Sequence, residues 1–146
     1  MLLLVLVAIV LGMFLSAQAG INAQLRVGLG HPLVAATVSF LVGTVALIVV
    51  TAFSRVSMPT MGDASRVPWW GWTGGLLGAL YIAASVVLAP RLGAAVLIAS
   101  IVAGQLAAAL VLDHYGLLGF TKQSVTVTRG LGALLLFAGV YLIQRR

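Results

Sequence analysis

Three polar side chains near the start of the chain are spaced four residues apart in an otherwise apolar stretch. Gln18, Asn22 and Arg26 stand at positions i, i+4 and i+8, which places them on one face of a helix. Two amides and a guanidinium offer several hydrogen-bond donors, and such groups are costly in an apolar setting unless they have a partner or face a cavity. The spacing therefore predicts either a ligand-binding face or a face that bonds to neighbouring helices.

Other polar residues fall near the middle of later apolar runs. Tyr81 and Gln105 lie within a few residues of those midpoints, as do Ser39 and Ser100. We predict that Gln18, Asn22, Tyr81 and Gln105 line a polar cavity that binds a small-molecule substrate. The alternative is that these groups bond only to each other or to backbone carbonyls.

Titratable groups are few, and this limits the chemistry. Asp63 belongs to a polar loop and is interpreted as a solvated surface charge. Asp113, beside His114, closes an apolar run, where an interfacial charge or a local cap is one interpretation and proton coupling the other. Arg26 and Arg91 stand near the ends of apolar runs and are candidates for gating. A cationic cargo lacks a counter-charge in mid-membrane, so a neutral or anionic cargo is favoured.

No spacing typical of an enzyme or a metal site is present. The chain has no cysteine, no Ser/His/Asp arrangement and no set of metal ligands. Its net charge of +6 comes from single basic residues scattered between apolar runs, without the stripe typical of nucleic-acid binding. We therefore expect no catalytic activity, no metal, no cofactor and no nucleic-acid partner.

The elements that must position these residues follow from composition. Hydrophobic residues make up 62% of the chain and charged residues 7%, which leaves too few polar residues to cover a soluble surface. A bilayer core needs roughly 20 apolar residues per helix. The sequence predicts one all-α integral membrane domain, 1–146, with five transmembrane helices at approximately 1–25, 33–53, 69–89, 92–112 and 127–143.

Turn-forming residues separate these segments. Gly30-His31-Pro32 precedes the second segment, Pro90-Arg91 marks a tight reversal before the fourth, and Ser54 to Val67 is the longest predicted loop. The first segment contains Ala17-Gln18-Ala19, which is also typical of a signal-peptide cleavage site. Because the segment lacks a basic start and its polar spacing continues beyond Ala19, we interpret it as a retained helix.

Basic residues are divided equally between the two sides of the predicted membrane domain. With five crossings, Arg55, Arg66, Lys122 and Arg129 share one side and Arg26, Arg91, Arg145 and Arg146 the other. Four against four gives no orientation bias under the positive-inside rule. Small residues at four-residue spacing, such as Gly71, Gly75, Gly74 and Gly78, provide faces for close helix contact. A chain of this kind can insert in both directions and pair with an inverted copy.

Several spaced motifs resemble a known family. They are Gly20-Ile21-Asn22-Ala23-Gln24-Leu25, Pro68-Trp69-Trp70-Gly71-Trp72, Pro90-Arg91-Leu92-Gly93-Ala94-Ala95, Ala103-Gly104-Gln105-Leu106 and Leu112-Asp113-His114-Tyr115-Gly116. Together they resemble the YdcZ-type branch of the drug/metabolite transporter superfamily over essentially the whole chain. The resemblance implies a five-helix unit that works as an antiparallel, dual-topology homodimer, an inverted repeat of ten helices. It implies a transport role in the bacterial inner membrane without naming a cargo.

The sequence thus predicts a small multi-pass inner-membrane transporter that moves a small neutral or anionic metabolite or drug-like solute by alternating access. Two alternatives remain. A dual-topology anion channel would suit the glycine-rich run that starts at Gly74, and an accessory membrane subunit would have the same packing features without transporting anything.

Overall fold

The computed structural model describes residues 1–145, in which all regular structure is helical. It confirms the prediction of five helices that are long and apolar enough to span a membrane. A sixth, short helix lies in the predicted loop between the second and third spans. The helices are α1 (Leu2–Leu29), α2 (Pro32–Phe53), the short α3 (Met61–Ser65), α4 (Gly74–Leu92), α5 (Ala94–Tyr115) and α6 (Val127–Gln144).

The connection between α1 and α2 contains residues with clear capping roles. α1 continues one turn beyond the predicted end at residue 25 and stops at Gly30, whose φ of 76° ends the helix in the left-handed region. Gly30 N–H donates to the Arg26 carbonyl at 2.8 Å. His31 then caps α2, because its Nδ1 accepts from Leu33 N–H at 3.3 Å and Pro32 occupies the first turn.

The third and fourth spans differ from the prediction at their ends. Residues Trp69–Thr73 form a 3₁₀ turn before α4, so the tryptophan cluster precedes the α-helix. α4 also runs on through Pro90 to Leu92, and α5 begins only after Gly93, which has a φ of 76°. The proline therefore lies inside the last turn of α4, and the break between α4 and α5 falls at the glycine.

The chain contains a first compact unit, Met1–Arg91, and a second that begins at Leu92. In the first unit α1 packs on α2, and the core joins Ala35 and Ala36 of α2 to Ile82 and Val86 of α4. Leu25 of α1 packs against the same core. Alanine at the contact allows close approach of helices, which in lipid provides packing energy where the hydrophobic effect does not.

In the second unit α5 packs on α6. They are joined by a 3₁₀ turn, Leu117–Gly119, and a segment without regular structure that ends at Thr126. Thr126 caps α6 by accepting from Arg129 N–H at 3.3 Å. Between 6% and 17% of each candidate span is buried within the chain, so most of the apolar surface remains for lipid or for another copy.

Candidate functional site

A groove of about 310 Å³ opens between α1, α2 and α4 in the first unit. Its polar side chains are Gln18, Ser39, Thr44 and Tyr81. We call it the Gln18 groove, and its remaining lining residues are apolar or glycine: Leu15, Phe40, Gly43, Leu47, Gly78 and Ile82. The structure thus brings together Gln18 and Tyr81, two of the four residues predicted to share a cavity.

The helix arrangement explains why these residues meet. α1 and α4 both run opposite to α2, so Leu25 of α1 packs on the core that contains Ala35, near the start of α2. Gln18, two turns before Leu25, therefore lines the same groove as Ser39, one turn after Ala35. Gly43 and Gly78 leave space because they lack side chains. A Cβ at Gly78 would lie 3.4 Å from Phe40 Cζ, so the phenyl ring rests almost directly on the α4 backbone.

A second, more apolar cavity of about 520 Å³ lies between α2 and α4. It shares Phe40 and Thr44 with the Gln18 groove, and the rest of its lining comprises Leu33, Ala36, Thr37, Leu41, Ala79, Leu80 and Ala83. Although it is larger, it offers only threonine hydroxyls as polar side-chain groups. A polar solute is better recognised by the amide and hydroxyls of the Gln18 groove, which we therefore take as the candidate site.

The sequence did not identify Phe40 or Thr44 as site residues. A phenylalanine and a threonine in an apolar helix are ordinary membrane-facing residues, and nothing in their spacing separates them from their neighbours. Gly78 carried a signal, since it belongs to a small-residue pair, but that pattern predicts helix packing. In the structure Gly78 of α4 packs against the Phe40 ring of α2, and both residues line the Gln18 groove.

Asn22 lies one helical turn from Gln18 and is almost fully buried, with 3% of its surface exposed. Its Nδ2 is the one buried side-chain polar atom without a hydrogen-bond partner in the part of the chain that the structure describes. Leaving a buried donor unsatisfied costs about 1–3 kcal/mol. Asn22 does not line the Gln18 groove, so its amide extends the polar face of α1 into the helix packing.

Arg26 and Arg91, the two candidates for gating, have different surroundings. Arg26 is half-buried, and its Nη1 donates to the Val86 carbonyl of α4 at 3.5 Å. Arg91 is exposed in the last turn of α4. Arg26 thus bridges two helices of the first unit, whereas Arg91 is a surface charge at a helix end.

Asp113 and Arg129 form an ion pair in the second unit, near the end of α5 and the start of α6. The side chains of Arg129 and Asp113 are 33% and 22% exposed, so the pair is partly shielded from solvent. Arg129 Nη1 also donates to the Gln123 carbonyl at 3.1 Å, and Gln123 N–H donates to the Asp113 carbonyl at 2.7 Å. We call this set of contacts the Asp113 clamp, because it fastens the segment before α6 to the end of α5.

His114 adds to the same connection. Its Nδ1 accepts from Val125 N–H at 3.2 Å, and its ring meets Tyr115 edge to face with centroids 4.7 Å apart. Both residues predicted as candidates for coupling are therefore occupied by local contacts. Gln105, the fourth predicted cavity residue, lies on α5 in this unit and is exposed.

Asp63 lies outside both sets of residues, in α3. It forms a capping box with Thr60: Asp63 Oδ2 accepts from Thr60 N–H at 3.0 Å and from Thr60 Oγ1 at 2.7 Å, while Thr60 Oγ1 accepts from Asp63 N–H at 3.2 Å. The Thr60 hydroxyl, and next its backbone N–H, lower the pKa of the Asp63 carboxyl from its ordinary value. Asp63 is a solvent-exposed cap of a loop helix.

Similarity to known proteins extends along nearly the whole chain. A sequence model for the family described as "Putative inner membrane exporter, YdcZ" matches residues 3–142. The chain is also 35% identical over 115 residues to "Inner membrane protein YdcZ" of Escherichia coli (strain K12), which covers 78% of this chain and 76% of that protein. No solved structure matches it.

Proposed function

The chain belongs to the YdcZ-type branch of the drug/metabolite transporter superfamily, and from this premise we propose that it carries a small neutral or anionic solute by alternating access. Its family and its five apolar helices make it a multi-pass transport protein of the bacterial inner membrane. The observation that carries the proposal is the Gln18 groove, where an amide and three hydroxyl groups line an opening among membrane-spanning helices.

The chemistry of the groove favours a polar solute without a positive charge. Gln18, Ser39, Thr44 and Tyr81 can each donate and accept hydrogen bonds, and none carries a negative charge. The chain has two acidic residues, and one of them caps a loop helix while the other is paired with Arg129. A cation would therefore be desolvated in the groove without a counter-charge, at a cost that a neutral or anionic solute avoids.

The functional unit that we propose is an antiparallel homodimer. Four basic residues on each predicted side leave insertion unbiased, and two opposed copies would form an inverted repeat of ten helices. In such a pair the two Gln18 grooves lie on opposite sides of the midplane. Rocking one copy against the other would then open a site to each compartment in turn.

The solute can be sought by ligand stabilisation. Purified protein in nanodiscs is heated with a set of small carboxylates, amides, sugars and amphipathic drugs, and a binder present at 100 times its Kd should stabilise the folded state by about 2.7 kcal/mol. A hit is then tested on Gln18→Ala, with Ser57→Ala in the exposed loop as a control. Binding that is unchanged in Gln18→Ala and Tyr81→Phe would place the site elsewhere.

The dimer can be tested by fixing orientation. Two lysines added to the Ser54–Val67 loop should hold that loop in the cytoplasm, and two added after Arg146 should hold the opposite orientation. Each variant alone should lose transport, and co-expression should restore it. Normal transport by either variant alone, with uniform orientation confirmed by tags, would contradict the antiparallel dimer. Flux at ion-channel rates in the same vesicles would instead favour the anion channel.

A further inference from the structure

Pro90 creates an unusual requirement in the last turns of α4. A proline inside a helix has no N–H, so the carbonyl four residues earlier loses its usual donor. For Pro90 that carbonyl belongs to Val86. Val86 is 0% exposed, so water does not reach its carbonyl. A buried carbonyl with no donor is costly, and a helix with this defect is weakened at that point.

Arg26 of α1 is the side chain that contacts this carbonyl. Its Nη1 lies 3.5 Å from the Val86 oxygen, which is long for a hydrogen bond but within the range where a positive guanidinium is attracted to a carbonyl dipole. The contact also gives the half-buried guanidinium an acceptor. The free carbonyl of α4 and the half-buried charge of α1 therefore compensate each other.

We propose that Arg26 is a positioning residue that replaces the donor removed by Pro90 and thereby fixes α4 against α1. The contact matters for the Gln18 groove because Gln18 lies two turns before Arg26 on α1, and Tyr81 lies just over one turn before Val86 on α4. This proposal rests on the proposed function only where it links Arg26 to the shape of the Gln18 groove. Its chemical basis, one donor for one free carbonyl, does not depend on transport.

A second feature of α4, the side-chain hydrogen bond of Ser85, makes a stabilising contact from another helix more important. The buried Ser85 hydroxyl donates to the Tyr81 carbonyl at 2.8 Å, a contact that often bends helices. The backbone hydrogen bonding of α4 is therefore perturbed at two carbonyls, those of Tyr81 and Val86. They lie at the two ends of the stretch whose residues Ile82 and Val86 contact α2. The contact from Arg26 is made to the Val86 carbonyl, the one that has lost its backbone hydrogen bond completely.

A double-mutant cycle tests the pairing. Arg26→Met removes the donor while keeping much of the side-chain volume, and Pro90→Ala restores a backbone N–H to Val86. With Pro90 present, Arg26→Met should raise the unfolding constant in mixed micelles by about 5- to 150-fold. In the Pro90→Ala background, the same change should have an effect below about threefold, because the helix now satisfies its own carbonyl.

Two variants serve as controls in the cycle. Arg66→Met removes an exposed loop arginine and should change the unfolding constant by less than about threefold. Arg26→Lys keeps the positive charge and one donor nitrogen, so it should raise the unfolding constant less than Arg26→Met does. If Arg26→Met does not fold, Arg26→Lys takes its place in the cycle. Equal effects of the Arg26 change in both backgrounds, or no effect with Pro90 present, would overturn the proposal.

Positioning is measured separately from stability. Because the chain has no cysteine, spin labels can be placed at Leu29→Cys on α1 and Leu88→Cys on α4, both partly exposed. Arg26→Met should broaden the distance distribution between them, and Arg26→Lys should restore most of its sharpness. An unchanged distribution would show that Arg26 does not fix the helices. Neither assay uses a solute, so their failure would leave the transport proposal intact.

Discussion

The first and second units differ in how they use their polar side chains. In the first, Gln18 lines an open groove and the buried Asn22 Nδ2 has no partner among the residues that the structure describes. In the second, Asp113 is paired with Arg129, and His114 accepts from Val125 N–H. A polar group near the bilayer needs a partner, and the second unit supplies those partners from its own chain.

This difference separates two kinds of role. Groups that are already bonded cannot bind a solute without breaking a contact, so the Asp113 clamp is best understood as a structural connection. Groups with unused donors can bind a solute at less cost, because their desolvation has already occurred on folding. Changes to the Asp113 clamp should therefore affect stability, whereas a change at Gln18 should affect binding.

The largest expected effect on stability comes from Arg129→Met. The change leaves the Asp113 carboxylate without its partner and releases the Gln123 carbonyl, and we expect a loss of about 2–4 kcal/mol, since the pair is only partly exposed. The measurement is equilibrium unfolding in mixed micelles, followed by circular dichroism. The matched change in the first unit, Gln18→Met, should lose less than about 1 kcal/mol.

The clamp has its own internal control. Asp113→Asn combined with Arg129→Met removes both charges and should recover part of the lost stability, because no uncompensated charge remains. If Arg129→Met and Gln18→Met lower the unfolding free energy equally, the proposed difference between a structural role for Arg129 and a binding role for Gln18 is wrong. If the double variant is no better than Arg129→Met alone, the ion pair is not the source of the stabilisation.

The next effect concerns binding. Gln18→Ala should weaken binding of a solute found by stabilisation screening by about 5- to 150-fold, the loss expected for one hydrogen bond of about 1–3 kcal/mol. The unfolding free energy without solute should stay within about 1 kcal/mol of the wild type. Isothermal titration on protein in nanodiscs measures the affinity. A loss of binding for Asp113→Asn as large as that for Gln18→Ala would contradict the division of roles.

The sequence predicted the number of membrane-spanning helices because bilayer thickness sets how long an apolar run must be, whereas the short α3 was not predicted. It also placed Gln18 and Tyr81 in one predicted polar cavity with Asn22 and Gln105, and Gln18 and Tyr81 line the same groove in the structure. The Asp113–Arg129 pair could not be predicted, because 16 residues separate the partners and their meeting depends on the turn after Gly116, where Gly116 and Leu118 both have positive φ. The ends of the third and fourth spans differ from the prediction because Pro90 is tolerated within the last turn of α4, while the break before α5 falls at Gly93.

A smaller effect, of opposite sign, is expected for Asn22→Leu. Leucine has a similar shape and no polar atoms, so it removes a buried donor that lacks a partner in the described part of the single chain. We expect the ligand-free protein to gain about 0.5–1.5 kcal/mol in unfolding free energy while transport in vesicles falls, a trade-off common at functional sites. A loss of more than about 1 kcal/mol would mean that Asn22 has a structural partner.

The smallest effect concerns Asp63, which lies in the first unit. Like Asp113, which is paired with Arg129, its carboxylate has a partner within its own unit, because it accepts two hydrogen bonds from Thr60. Because the folded-state pKa is lowered, the carboxylate stabilises α3 above the unfolded-state pKa of about 3.9, and this contribution disappears as the pH falls through the lower folded-state pKa. The chain has two aspartates, so carboxyl carbon labelling gives two NMR signals, and Asp113→Asn identifies that of Asp63. Its titration midpoint should lie below the ordinary value and rise in Thr60→Ala, while global unfolding should not change. A midpoint that stays at the ordinary value in both proteins would show that bonded polar groups at the surface of the first unit behave as free ones.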